Sequence, residues 1–265
     1  MKRSENGMEM TYRLIHIALF LFPLLSGLGA LAQTLNYDLG NVLTSRNALH
    51  QQWITQTRFG YDHMRSGDVE TDIYAFRHAF RYGLSPSIEI DGHLEIAEEN
   101  YDISEIQGSV SGFRNWSLGL RYQIKKSSES NHYDMSLIGQ FNFSHWVKDE
   151  LSTGLATPFV SLAVGTDLGT NVNLTGNFGM AWDGVYHFPN QVIYGLRSAV
   201  NVGKKAAIFI EPSGRTGEKF HTEIQISNGL TYSPFEDLLI DFTYSYNRDR
   251  YEKGSLYSLG FAKTF

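Results

Sequence analysis

The chain has 265 residues, of which 42% are hydrophobic and 14% aromatic, and its formal net charge is −6. The hydrophobic content excludes a disordered chain, and the negative charge argues against a nucleic-acid partner, which usually requires a basic face. Because the sequence contains no Cys, it has no disulfide, no thiolate metal site and no cysteine nucleophile. The many Gly and aromatic residues favour β structure.

The first segment is typical of a secretory signal peptide. Residues 14–32 form an uncharged, mostly apolar run that follows a basic residue and ends in Ala30-Leu31-Ala32, a small-x-small cleavage pattern. A proline and two glycines within the run disfavour a permanent membrane helix. We therefore predict that residues 1–32 are a cleaved signal peptide and that the protein leaves the cytoplasm.

The next stretch, residues 33–52, has no strand period. We expect it to be either a periplasmic tail or a segment that plugs the following domain. In the second case a short helix around residues 42–50 would form the plug.

From residue 53 onwards, apolar and polar side chains alternate with a period of two residues, which is typical of β-strands with two different faces. In residues 238–246, for example, Ile240 and Phe242 share one face, while Asp241 and Thr243 share the other. Each segment has roughly the nine to eleven residues that a tilted strand needs to cross a bilayer. The pattern predicts twelve strands, at 53–61, 72–82, 87–96, 114–124, 134–144, 157–165, 171–182, 191–202, 206–212, 220–232, 238–246 and 255–265.

The connections between these segments alternate in length. Apart from a longer one at 125–133, one set is tight, near 83–86, 167–170, 203–205 and 233–236. The other set is longer and more polar, near 62–71, 97–113, 145–156, 183–190, 213–219 and 247–254. Short turns at one end and long loops at the other are typical of outer-membrane barrels, whose sheet must close because hydrocarbon offers no partner for a free strand edge. We predict an all-β fold: an antiparallel transmembrane β-barrel of about 12 strands over residues 53–265.

Periodicity alone leaves a soluble barrel with an apolar interior as the alternative, because it does not say which face is outside. Gly, Ser, Asn and Thr dominate the polar face, and aromatic residues lie near segment ends, as the two lipid interfaces require. The last strand alternates through Tyr257, Leu259 and Phe261 and ends in Phe265. This ending resembles the signal by which outer-membrane barrels are recognised by their assembly machinery. We therefore expect outer-membrane lipid and the barrel assembly machinery to be partners, in a Gram-negative cell.

Charged residues concentrate on the predicted inner face of two neighbouring strands. Folding about the 83–86 turn brings Arg81 near Glu89 and Arg77 near His93. One interpretation is a polarised lumen along the path of a solute, and the other is a ladder of salt bridges that fills a narrow barrel. The ladder suits each residue taken singly, because unpaired charges are costly. The inner charged face comprises Arg77, Arg81, Glu89, Asp91, His93, Glu95 and Arg121, and Arg58 and Arg114 also point inward.

Catalytic and cofactor signatures are missing from the sequence, so we predict neither an enzyme nor a cofactor. Outer-membrane phospholipases are an alternative, since they carry a His two residues before a Ser that precedes Asn-Gly. Here Ser227 precedes Asn-Gly, but Gln225 stands at the His position, and His221 is six residues away. A metal site formed by Asp91 and His93 would be weak, and we predict none.

Several strand patterns resemble the outer-membrane transporters of the phenol-degradation MetA-pathway family. The resemblance covers residues 53–265 and lies in the patterns Phe80-Arg81-Tyr82-Gly83-Leu84, Ser87-Ile88-Glu89-Ile90, Ser117-Leu118-Gly119-Leu120-Arg121-Tyr122, Thr157-Pro158-Phe159-Val160, His221-Thr222 and Leu230-Thr231-Tyr232-Ser233-Pro234. It implies passage of small, often hydrophobic or aromatic, solutes and supplies no site residues.

Our first hypothesis is therefore a barrel in the outer membrane that passes a small solute, without a nucleic-acid partner. A non-transporting surface or structural barrel, similar to an adhesin, is the alternative, and a lipase is a third. Small residues on the predicted inner face favour the first hypothesis, because they leave room in the lumen. They are Gly119, Ser136, Gly165, Thr175, Gly179, Gly195, Gly229, Ser258 and Gly260.

Overall fold

A computed structural model describes residues 43–103, 106–128, 132–143, 157–182, 191–217, 222–250 and 252–265. Within these residues, twelve antiparallel strands form one closed barrel, in which each strand pairs with its neighbours in sequence and the last pairs with the first. The strands are β1 (Trp53–Ser66), β2 (Val69–Gly83), β3 (Ile88–Ile103), β4 (Ile106–Lys125), β5 (Tyr133–Phe143), β6 (Thr157–Leu168), β7 (Val172–Ala181), β8 (Gln191–Asn201), β9 (Ala206–Gly217), β10 (Glu223–Phe235), β11 (Leu238–Arg248) and β12 (Glu252–Thr264).

The alternating polar and apolar residues of the sequence lie on opposite faces of the barrel wall. In β11, Asp241 and Thr243 are buried, whereas Phe242 is exposed between them. The same arrangement recurs in β4, where Ser117 and Arg121 are buried and Leu118 and Leu120 are exposed. Polar side chains therefore point inward and apolar ones outward, which is the reverse of a soluble barrel. The predicted twelve-stranded transmembrane barrel is confirmed, and the soluble alternative is wrong.

Segment 206–212, whose facing the alternation left ambiguous, is now assigned. Ile208 and Ile210 are exposed on the outside, and Phe209 is buried inside. His78 lies on the outer face, as its position in the pattern indicated, and its Nδ1 is 2.9 Å from the hydroxyl of Thr57 on the adjacent strand. Among the residues described, no helix is long and apolar enough to cross a membrane.

The first four strands are longer than the sequence predicted, with 14 to 20 residues each. The loops predicted at 62–71 and 97–113 are wrong, because both stretches are mostly strand. A two-residue turn at Gly67 and Asp68 joins β1 to β2, and Gly67 has the positive φ of 60° that suits such a turn. Beyond the bilayer a strand has no lipid to face, so its outer residues are polar and the apolar–polar alternation disappears while the hydrogen-bonded ladder continues.

Two of the later predicted loops are shortened in the same way. β9 extends to Gly217, and the stretch 247–254 is divided between the end of β11 and the start of β12. The loops predicted at 145–156 and 183–190 lie outside the described residues, as do the predicted signal peptide 1–32 and residues 33–42.

The two ends of the barrel differ in their connections. Turns at 84–87, 169–171, 202–205 and 236–237 lie at the end where β1 begins and β12 finishes. At the opposite end the connection between β1 and β2 is also short, but 13 residues separate β5 from β6 and nine separate β7 from β8. Long connections are extracellular in outer-membrane barrels, so we call the first end periplasmic and the opposite one extracellular. Residues 43–52, here called the inner segment, precede β1 at the periplasmic end. The helix expected near 42–50 is not formed by residues 43–50, which have no regular helical structure.

Candidate functional site

The predicted inner charged face separates into two clusters. In the first, Glu89 is paired with two arginines: Arg81 Nε lies 2.6 Å from Glu89 Oε1, and Arg121 Nε lies 3.2 Å from the same oxygen. A second bond joins Arg81 Nη2 to Glu89 Oε2 at 2.7 Å. The side chains of Arg81 and Glu89 are 4% and 0% exposed. We call Arg81, Glu89 and Arg121 the buried charge cluster.

The second cluster lies nearer the extracellular end on the same inner wall. Arg77 Nε is 3.2 Å from Glu95 Oε2, and Arg114 Nη1 is 3.5 Å from Glu95 Oε1. The side chains of Arg77 and Glu95 are 39% and 15% exposed, so solvent reaches this pair. The register of β3 and β4 shifts between Glu95 and Ile96, and this irregularity lies beside Arg114. We call Arg77, Glu95 and Arg114 the open charge cluster.

The register differs from the prediction by two residues. Arg81 lies opposite Asp91, and Arg77 lies opposite Glu95 rather than His93. The turn lies at 84–87 rather than 83–86, one residue further along the chain, and this displacement changes each cross-strand partner by two residues. Because that shift is even, every side chain keeps its predicted face. The charges do not oppose one another across the lumen, since β2 and β3 are adjacent strands that pair directly. This geometry is the salt-bridge ladder, and solvent reaches only its extracellular part.

Asp91 and His93 lie between the two clusters. His93 Nε2 is 3.3 Å from Asp91 Oδ1, and the two side chains are 37% and 4% exposed. Solvent access along this wall therefore ends between His93 and Asp91. In the part of the chain that the structure describes, no three side chains of metal-ligating type lie close enough to hold a metal ion.

Two further ion pairs occupy the interior, one between β1 and β11 and the other between β8 and β9. Arg58 Nη2 is 3.0 Å from Asp241 Oδ1, and Arg197 Nη2 is 2.9 Å from Glu211 Oε2. Both carboxylates are fully buried. The alternation identifies Arg58 and Asp241 as inward-facing, but it does not assign a face to Glu211. The pairing of Arg58 with Asp241 depends on a barrel register that the sequence does not reveal.

The inner segment contacts the buried charge cluster and the strands beside it. The guanidinium of Arg46 is hydrogen-bonded to Asp134, with Nε 2.7 Å from Oδ2, and forms an ion pair with Asp167. Burial opposes the charge of Arg46, but hydrogen bonds and the negative charges of the two aspartates outweigh that effect and raise its pKa. Arg46 therefore keeps its positive charge at any physiological pH. Nothing in the strand pattern of the sequence pointed to this residue.

An apolar cluster lines the inner wall towards the extracellular end. Ile73, Ala75 and Ala97 are buried together, and the partly buried Met64 packs against them. Arg77 follows Ala75 two residues along β2, so this apolar cluster adjoins the open charge cluster.

The serine considered for a lipase lies in the filled interior. Ser227 is fully buried, and its Oγ accepts hydrogen bonds from Gln225 Nε2 at 3.0 Å and from Ser245 Oγ at 2.8 Å. His221 lies outside the described residues. The surroundings of Ser227 are thus those of a structural hydroxyl in the barrel wall.

The C-terminal strand closes the barrel. Tyr257 and Leu259 are exposed on the outer face, and the backbones of Trp53 and Phe265 are joined by two hydrogen bonds of 3.2 and 2.8 Å. Phe261 pairs with Thr57 on β1 and with Ile240 on β11. The predicted assembly residues therefore lie on the strand that seals the barrel at the periplasmic end.

No family model and no curated protein matches this sequence. The fold is similar to that of the COG4313 outer membrane channel from Pseudomonas putida F1, with a TM-score of 0.63 and 10% identity over 87% of this chain and 100% of that one. It is also similar to the KdgM porin, with a TM-score of 0.53 and 10% identity over 78% and 99% of the two chains. A third similar fold is the translocator domain of the autotransporter NalP from Neisseria meningitidis. Its TM-score is 0.52, with 13% identity over 83% of this chain and 90% of that one.

These likenesses establish the fold: the chain is a barrel of the kind found in outer-membrane channels and porins. Together with the apolar outer surface, the fold indicates a protein of the cell outer membrane. Membership of the phenol-degradation MetA-pathway family stays a prediction.

Proposed function

We propose that this barrel passes a small, amphipathic, aromatic solute across the outer membrane. The observation that carries the proposal is the solvent access of the open charge cluster, which means that the extracellular half of the interior has room for small molecules. The inner wall there combines the open charge cluster with the apolar cluster of Ile73, Ala75 and Ala97.

The chemistry of this half favours an aromatic ring that carries a polar or acidic group. Met64 is only partly buried where it packs against the buried apolar cluster, and its thioether is a group that makes favourable contacts with aromatic rings. Arg77 and Arg114 share a single carboxylate, that of Glu95. Guanidinium groups stack on aromatic faces and bind carboxylates.

Blocking of ion current by a probe solute tests this proposal. We expect 4-hydroxybenzoate, added on the extracellular side of a planar bilayer, to interrupt the current through the full-length protein, whereas acetate at equal concentration does not. The substitution Met64→Ser is expected to shorten the interruptions several-fold by removing the apolar contact, and Met64→Leu, which keeps the volume, should change them less. Equal effects of both probes, or of both substitutions, would contradict an aromatic solute.

A second candidate, a barrel that does not transport, is favoured by one observation: much of the interior is filled. Glu89 and Ser136, which lie close to the periplasmic turns, have no exposed surface, and neither have Glu211, Ser227 and Asp241 on the other inner strands. If many insertions of the protein into a bilayer carry no current even in concentrated KCl, the structural role is the better conclusion.

We also propose that the last strand is recognised by the barrel assembly machinery, and that outer-membrane lipid surrounds the exterior. Phe265→Ser is expected to lower the amount of folded protein in the outer membrane of cells while leaving refolding into detergent nearly unchanged. Folded and unfolded forms are separated by their different migration before and after boiling. A loss of refolding in detergent as well would show that Phe265 acts through stability alone.

A further inference from the structure

The inner segment is held by the barrel wall chiefly through its backbone. Glu89 accepts a hydrogen bond from the Ala48 amide, Arg81 Nη2 donates to the Arg46 carbonyl at 2.8 Å, and Arg121 donates to the Thr44 carbonyl. All three members of the buried charge cluster are therefore used to bind main-chain atoms. Charged partners make these hydrogen bonds stronger than neutral ones.

Main-chain contacts continue on both sides of this cluster. Ser136 Oγ donates to the Ser45 carbonyl at 2.7 Å. Towards β1, Gln51 N donates to Gly83 O at 2.8 Å, and Gly83 N donates to Gln52 O at 3.1 Å. His50 and Gly83 form a parallel bridge, so the segment pairs locally with the end of β2 as a short additional strand.

Gly83 is required for this close approach. A Cβ added there would lie 2.9 Å from the Ala48 carbonyl oxygen and still closer to the Leu49 carbonyl. These neighbours are backbone atoms, which have no rotamer by which to move away. The wall is thus shaped to admit a peptide backbone at this point.

The segment also reaches the opposite side of the lumen. Ala48 is buried in a cluster with Ile54, Phe209, Leu239 and Ala262, which belong to β1, β9, β11 and β12. On the other side Arg46 is bound to Asp134 of β5 and Asp167 of β6. Residues 44–51 therefore cross the periplasmic mouth of the barrel and contact it on both sides.

We infer that the periplasmic half of the barrel is a binding site for an extended peptide backbone, that its occupant is this chain's own residues 44–51, and that this occupant closes the solute path. The buried charge cluster then serves to hold the peptide rather than to orient a solute. Only the closure rests on the proposed function, whereas the binding itself does not.

Amide hydrogen exchange in the full-length protein tests the binding. Residues 44–51 should be protected in the wild type, and Gly83→Ala should speed their exchange by at least about tenfold, because it displaces a backbone held by charged hydrogen bonds. Gly139→Ala is the matched control, since an added Cβ there meets nothing within 4 Å. It should leave the exchange unchanged.

If Gly83→Ala does not yield a folded barrel, Arg46→Ala replaces it, because this change removes the two aspartate contacts without altering the wall. Faster exchange restricted to residues 44–51 supports the inference. Rapid exchange of these residues already in the wild type, or no acceleration in the folded variant, would overturn it.

A reversible cross-link tests the closure. The Cβ of Ser45 lies 3.2 Å from the Cβ position of residue 165, slightly below the separation of about 3.5–4.5 Å in disulfides, and the chain has no native Cys. In a Ser45→Cys, Gly165→Cys double variant, oxidation should abolish current openings and reduction should restore them. Equal current in both states would overturn the closure, while protection of residues 44–51 would still establish the peptide site.

Discussion

Arg81–Glu89 and Arg77–Glu95 are two chemically identical pairs on the same two strands, yet they lie in different surroundings. The first is dry, with N–O distances of 2.6 and 2.7 Å, and the second is partly solvated, with a separation of 3.2 Å. Arg81 and Arg77 are only four residues apart on β2. The change from a filled to an open interior thus occurs within about one or two inward-facing positions.

The comparison shows that the role of an ion pair depends on its access to water. In the periplasmic half, removal of one partner leaves a buried charge without compensation, which is strongly destabilising. In the extracellular half, water and salt screen the same charges, and the pair contributes little to stability. The buried pair therefore contributes to stability, whereas under the proposed function we expect the solvated pair to act on the passage of charged solutes.

The largest expected effect comes from Glu89→Gln. The arginines of the buried charge cluster would lose their common counter-charge, and the free energy of unfolding should fall by about 3–5 kcal/mol. Urea titration of the refolded barrel measures this change. Glu95→Gln is the matched control, and equal losses for the two variants would contradict the difference between the halves.

A somewhat smaller effect is expected on the outer face at the same level of the wall. Leu120 pairs with Ile90, next to Glu89, but it points to lipid. Leu120→Arg should lower the unfolding free energy measured in lipid vesicles by about 1–3 kcal/mol, because the cost of an outward arginine is about 2–4 kcal/mol at the bilayer midplane and falls towards the interfaces. Leu120→Val should have a much smaller effect, and a tolerated arginine would mean that this face does not contact hydrocarbon.

The smallest effect on stability, about 1 kcal/mol or less, is expected for Glu95→Gln. Its effect should instead appear in ion selectivity, which should move towards anions because Arg77 and Arg114 lose their shared carboxylate. Reversal potentials under a KCl gradient measure this shift. It should shrink near 1 M salt, where the Debye length is only about 3 Å, and a shift that persists there would point to a change of pore shape.

Except in segment 206–212, the facing of the strands could be predicted from the sequence because lipid and lumen require opposite chemistry at successive residues. Asp241 and Phe242 show this directly. The prediction failed where that contrast disappears. Glu70 is a polar residue on the outer side of the extracellular extension of β2, and its stretch, residues 62–71, was predicted to be a loop.

The candidate site could be predicted only in part. The inner charged face was identified residue by residue, but its partners depend on register, and Arg77 was placed beside the wrong residue of β3. The inner segment carries no period because its contacts are made by backbone atoms, which every sequence possesses. Arg46 is the exception, and its two aspartates lie 88 and 121 residues further along the chain.

The pairing of β1 with β12 also constrains how the protein is made. Ile54 and Thr264 are partners although more than 200 residues separate them in the chain, so the ring cannot close until the final residues have been synthesised. Residues 43–52 directly precede β1, which cannot complete its pairing until β12 is present. These residues must therefore enter the lumen before β1 pairs with β12, or pass through the periplasmic mouth after that pairing. The relative rates of segment entry and barrel closure decide which of the two happens first.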